Sequence, residues 1–254
     1  MQKKQHVVVA SVADVLLFVV LYIFFSLLIN QCWSAYFAIR CHQFGQNIPD
    51  ATACLHLAST PNTAVVIIFN ILEMLSPTLI ILGLRCPPTR KDFQTACKSL
   101  FRLTTWGWLL LSVVVVLVWN IGITALAKRV GVDSNPTNLE LINMGMHDCP
   151  ILLFFFVTIF APCYEEIFFR RVLFGRCYAH NRMLTGLCVT AIAFALFHEL
   201  PGTSHLAALA VLWTVYAGMS IILALVYWRT RSLAVSFLVH SINNTVAFMS
   251  LYNQ

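Results

Sequence analysis

Long apolar runs recur along this chain, at roughly 10–30, 63–84, 105–126, 149–175, 183–200, 205–228 and 233–252, each near the ~20 residues that a helix needs to cross a bilayer. Inside lipid only helices and closed barrels satisfy their own backbone hydrogen bonds, and runs of this length read as helices. The predicted fold class is therefore all-α, a polytopic transmembrane helical bundle of about seven spans. With 59% hydrophobic and 10% charged residues, the chain is excluded from the water-soluble globules and is too apolar to stay solvated as a disordered segment. The runs leave no room for a separate soluble domain, so residues 1–254 read as one membrane domain.

Basic residues orient the spans, because Lys and Arg in short loops are retained on the cytoplasmic side. Alternate connections hold Lys3 and Lys4, then Arg85, Arg90, Lys91, Lys98 and Arg102, then Arg170, Arg171, Arg176 and Arg182, then Arg229 and Arg231. The opposite set holds only Arg40, Lys128 and Arg129. The N-terminus is predicted cytoplasmic and the C-terminus outside, and the net charge of +6 needs no nucleic-acid partner to explain it. The first run is longer than a signal-peptide core, and Asn30-Gln31-Cys32-Trp33 makes a poor cleavage site, so it reads as a membrane anchor. Two connections are long, 31–62 and 127–148. The first carries Cys32, Cys41 and Cys54, which an oxidising compartment could pair, although free thiols are the plainer reading. The second carries the turn signal Asp133-Ser134-Asn135-Pro136 and a segment, Asn138 to Met144, suited to the interface.

Ionisable groups inside hydrocarbon cost a few kcal/mol or more, about 3 on insertion scales, so each must be paired, hydrated or functional. The fourth run carries Glu165-Glu166-Ile167-Phe168-Phe169-Arg170 after Ala161-Pro162, the fifth ends in Phe194-Ala195-Leu196-Phe197-His198-Glu199, and the seventh contains His240-Ser241-Ile242-Asn243-Asn244. Glu166 and Arg170 are spaced i,i+4 and can pair on one helix face, whereas Glu165 lies about 100° away and must face another partner. His240 and Asn244 repeat the i,i+4 spacing. A carboxylate with a histidine can activate water, while a second imidazole and an amide can donate to a developing oxyanion, and together they suffice to hydrolyse an amide.

Glu165-Glu166-x-x-x-Arg170, Phe194-x-x-x-His198 and His240-x-x-x-Asn244 resemble the three ordered motifs, EExxxR, FxxxH and HxxxN, of the CPBP intramembrane proteases. That family includes CAAX prenyl endopeptidases and bacterial proteins linked to bacteriocin processing and self-immunity. Tyr227 to Leu233 is similar to the family's approach to the third motif, and the resemblance covers about residues 149–250, the expected catalytic core. It implies Glu165 as the base that activates water with His198, Glu166 and Arg170 as a supporting ion pair, and His240 and Asn244 at the oxyanion. Arg171 departs from the small glycine the family often has there. The family has also been called metalloproteases, and Glu165, His198 and His240 are acceptable zinc ligands, so glutamate and metal activation both stay open.

Other features are weaker. His198-Glu199 begins like HExxH, but Pro201 and Gly202 follow and no second histidine stands at the required position. Glu73 in the second run is read equally as lining a substrate path or as structural, and Asp14 lies near the inner end of the first. At ~1.5 Å per residue, His240 is expected about 12 Å, Glu165 about 16 Å and His198 about 22 Å from the inner boundary, a mismatch that a tilt or a shifted helix must absorb. The expected activity is hydrolysis of a peptide bond in a hydrophobic or prenylated peptide, within lipid, in a bacterial plasma membrane or alternatively the endoplasmic reticulum. Two rivals are a non-cleaving immunity or scaffold protein of the same fold and a proton or ion relay of a transporter, which would require paired half-repeats that the sequence lacks.

Overall fold

The computed structural model describes residues 2–44, 63–85, 87, 89–202 and 205–252. They form α1 (Gln2–Phe44), α2 (Thr63–Arg85), α3 (Arg90–Leu100), α4 (Leu103–Arg129), α5 (Leu139–Asp148), α6 (Pro150–Ala179), α7 (Met183–His198), α8 (Leu206–Thr230) and α9 (Leu233–Tyr252). Six of these hold stretches long and apolar enough to cross a membrane, and α7 is a shorter apolar helix. The chain is an integral multi-pass helical bundle.

Several expected boundaries move. α1 continues to Phe44 because neither Gly nor Pro interrupts the sequence before Gly45, so Cys32 lies in the helix as an exposed free thiol. Cys54 and the side chain of Cys41 lie outside the described residues. Part of the basic connection 85–102 is the helix α3, and the short segment from Asn138 to Met144 falls, but for Asn138, in the helix Leu139–Asp148. α6 runs four residues past the expected 175, and Arg170 is fully buried within it. Arg170 therefore belongs to the interior, and it drops out of the loop charges that orient the chain.

Two apolar clusters flank the bundle centre. One joins Phe18 of α1 and Ile81 of α2 to Phe168, Phe169 and Phe194 of α6 and α7, and the other joins α4, α8 and α9 through Val116, Leu223 and Val239. In lipid such contacts hold by close packing, since the surrounding tails are as apolar as the side chains. Where α4 meets α8, a Cβ on Gly218 would come within 2.1 Å of the Trp119 indole nitrogen, which donates to the Thr214 carbonyl at 3.2 Å. Only glycine permits that approach.

Polar staples fix the two ends. At one, the buried Asp14 carboxylate pairs with Arg85 at 3.1 Å and with Arg176, tying α1, α2 and α6. At the other, Asp148 accepts from the Thr63 hydroxyl and meets His147 Nδ1 at 2.8 Å, and these contacts hold its carboxyl below the ordinary range.

Candidate active site

The backbone of α6 alternates between registers: α-helical at Pro150–Phe155, π-helical at Phe156–Phe160, α-helical at Ala161–Glu165, π-helical at Glu166–Phe174 and α-helical at Gly175–Ala179. Pro162 explains the first widening. It has no N–H, and its ring crowds the carbonyl four residues back. In the α register it would have bonded to Thr158, and in the π register, where Ala161 N–H reaches the Phe156 carbonyl, to Val157. Those two carbonyls are taken by α9: Ser241 Oγ donates to Thr158, and Asn244 Nδ2 donates to Val157 at 2.9 Å. A proline is tolerated at this depth because a neighbouring helix supplies the missing donors.

The second π segment opens at Glu166, and π turns inside α-helices mark functional sites more often than chance. Glu166 and Arg170 form the expected i,i+4 ion pair at 3.1 Å, both buried. Arg170 Nη1 donates to Thr190 Oγ1 at 3.3 Å and Ser220 Oγ at 3.2 Å, and its guanidinium lies 5.1 Å from the Phe194 ring centroid. The hydroxyls come from α7 and α8, so one side chain of α6 joins three helices. Glu166 has further partners: Ser236 Oγ donates to Oε2, and Oε1 stands 2.9 Å from His240 Nδ1.

Two imidazoles then converge on the other carboxylate. His198 Nδ1 lies 2.9 Å from the Phe194 carbonyl, which can only accept, so the proton sits on Nδ1 and the lone pair on Nε2. That Nε2 lies 3.8 Å from Glu165 Oε2, and His240 Nε2 lies 3.7 Å from the same oxygen. Oε2 is buried and has no hydrogen-bond partner among the described residues. Three acceptor-bearing atoms facing one another across distances slightly too long for a direct bond leave room for a bridging water between them. Among the described residues no three His, Cys, Asp or Glu side chains stand, as placed, in a metal-holding arrangement.

Five of the six residues singled out in the sequence meet about this one centre on α6, α7 and α9, and the sixth, Asn244, lies one turn beyond His240 on α9 and donates to the Val157 carbonyl of α6. The depth mismatch also resolves. α6 extends to Ala179, which puts Glu165 at about 20 Å from that end, level with His198. The start of α9 is sunk in the bundle, with Ser232, Val235 and Ser236 buried, which raises His240.

Sequence reasoning missed the supporting groups. Thr190, Phe194 and His198 share a face of α7 at i,i+4 spacing, as do Tyr216 and Ser220 on α8 and Ser236 and His240 on α9. That spacing was the available signal. Tyr216 stacks on His198 with ring centroids 4.3 Å apart. Glu199, set aside with the HExxH pattern, is buried: it accepts from the Thr137 backbone N–H at 2.7 Å and from the Thr137 hydroxyl, while its carbonyl accepts from Trp213 Nε1 at 2.9 Å. It fastens the α4–α5 connection to the His198 end of α7.

Residues 148–246 match the family described as type II CAAX prenyl endopeptidase Rce1-like. Over 195 residues, 71% of this chain and 72% of the relative, the sequence is 28% identical to the membrane-embedded CAAX protease MroQ of Staphylococcus aureus (strain USA300). No solved structure matches the chain. The matched region carries the three motifs and the buried centre they build, and over residues 148–246 the chain is similar to this family of membrane endopeptidases.

Proposed function

We propose that this protein is an intramembrane endopeptidase in which Glu165, assisted by His198, activates a water for attack on a peptide carbonyl. The observation that carries this reading is the convergence of two imidazole nitrogens, at 3.7 and 3.8 Å, on a buried carboxylate oxygen that has no hydrogen-bond partner among the described residues. A water held there donates one hydrogen to Glu165 and the other to His198 Nε2, leaving its lone pair directed at the substrate. Attack forms the C–O bond as the water proton passes to Glu165. Its return to the amide nitrogen releases the amine as the C–N bond breaks.

His240 and Asn244 are assigned to the developing oxyanion. To donate from Nε2, His240 must carry both ring protons, and the Glu166 carboxylate at Nδ1 offsets the positive charge of that form. Arg170 in turn holds Glu166. The relative's description as a CAAX protease makes hydrophobic and prenylated C-terminal peptides the substrates to test, reaching the centre from the membrane or the cytoplasmic side.

The test compares wild type with Glu165→Gln and His240→Ala in mild detergent on quenched hydrophobic and prenylated peptides, with zinc content measured in the same samples. Glu165→Gln is expected to lower kcat about 10²–10⁴-fold while keeping the wild-type gel-filtration profile. Wild-type cleavage by Glu165→Gln would overturn the assignment, and stoichiometric zinc lost from both variants would move the chemistry to metal activation.

A further inference from the structure

Three carboxamides form a chain from α4 to α9. Asn120 Nδ2 donates to Asn243 Oδ1 at 3.0 Å, Asn243 Nδ2 donates to Asn244 Oδ1 at 3.2 Å, and Asn244 Nδ2 donates to the Val157 carbonyl at 2.9 Å. The direction follows from one end. The Val157 carbonyl can only accept, so the nitrogen of Asn244 must face it and the oxygen must face Asn243. Asn243 then has to present its nitrogen to Asn244 and its oxygen to Asn120, which must donate. The Met219 thioether, a weak acceptor, flanks the two inner nitrogens at 3.9 Å from Asn120 and 3.8 Å from Asn243. At the far end Asn120 Oδ1 is buried and has no hydrogen-bond partner among the described residues. A stranded acceptor of this kind costs about 1–3 kcal/mol, an unfavourable arrangement for packing alone.

We infer that Asn120, acting through Asn243, is a positioning residue for Asn244: it holds in place, from the α4 side, the amide orientation that the Val157 carbonyl sets, and so the N–H that is presented to the oxyanion. The inference rests on the reading of Asn244 given above. Asn120 lies outside residues 148–246, so part of the machinery is built by the first half of the chain. The chain also ends on a carbonyl freed by Pro162, which links the orientation of the amide to the widened turn of α6.

A double-mutant cycle tests it. Asn244→Ala is expected to lower kcat about 10²–10³-fold, as loss of one oxyanion donor does. Asn120→Leu, which keeps the branched shape of the side chain but not the donor, is expected to lower kcat about tenfold with KM unchanged, and the double variant to be no slower than Asn244→Ala alone. Asn120→Ser, a smaller change that also breaks the contact, is carried in parallel, with gel filtration reporting folding for both. Wild-type kcat in Asn244→Ala would sink the oxyanion reading and this inference with it. Impaired Asn244→Ala beside unimpaired, folded Asn120 variants, or losses that multiply in the double variant, would overturn the relay alone.

Discussion

Arg170 is the most demanding residue in the bundle, a guanidinium with no exposed surface in a helix that crosses the membrane. Its charge is met by Glu166 at 3.1 Å, by the Thr190 and Ser220 hydroxyls and by the face of Phe194. Breaking a buried pair by removing one partner leaves the other charge uncompensated, a cost of about 3–5 kcal/mol. Arg170→Leu is therefore expected to lower the thermal midpoint sharply, and Arg170→Leu with Glu166→Leu to recover most of that stability without recovering cleavage. Arg170→Lys is expected to fall between, because an ammonium cannot span the carboxylate and both hydroxyls as a planar fork does. Thermal unfolding in detergent with matched kinetics checks the series, and a double variant as unstable as Arg170→Leu would show that the pair is not the source of the loss.

Among the elements, α6 shows how a helix that departs from ideal geometry can serve a site. Pro162→Ala restores an N–H that competes with Ser241 and Asn244 for the Thr158 and Val157 carbonyls. The expected outcome is a thermal midpoint held or raised and a kcat lowered about tenfold or more, since a proline in a helix interior costs ~3 kcal/mol that alanine does not; unchanged kcat would detach the π turn from function. The same helix shows what the sequence made legible. Glu165, Glu166 and Arg170 stand out because ionisable groups in an apolar run are expensive, and their i,i+4 spacing predicted the ion pair. The register changes were not read, although Pro162 was in view, because its effect depends on donors from α9, eighty residues away. Asn120, Thr190 and Ser220 escaped notice because a lone amide or hydroxyl in an apolar helix costs little and is most often local glue. Helix limits were the weakest reading, since leaving the bilayer does not end a helix: α1 spans 43 residues, where a crossing needs ~20.

For the whole molecule, the number of crossings turns on α7. Its 16 residues rise about 24 Å, short of a ~30 Å hydrocarbon core. Its ends are nevertheless fixed on opposite sides of the bundle. It follows a tight turn at Asn181, in the left-handed region at φ 58°, from the end of α6 that Arg176 ties to Asp14. Its other end, at Glu199, is held to Thr137, beyond the far end of α4. Short helices can cross where the bilayer thins or neighbours shield their ends, and the buried Glu199 latch supplies such shielding. Counting α7, the chain crosses seven times and its two ends face opposite compartments; without it, six crossings would put them together. The Lys and Arg bias places the N-terminus inside. Green fluorescent protein fused before Met1 is therefore expected to fluoresce in a bacterial host, while fused after Gln254 it stays dark and alkaline phosphatase at that position is active. Fluorescence from both fusions would mean that α7 turns back within the membrane.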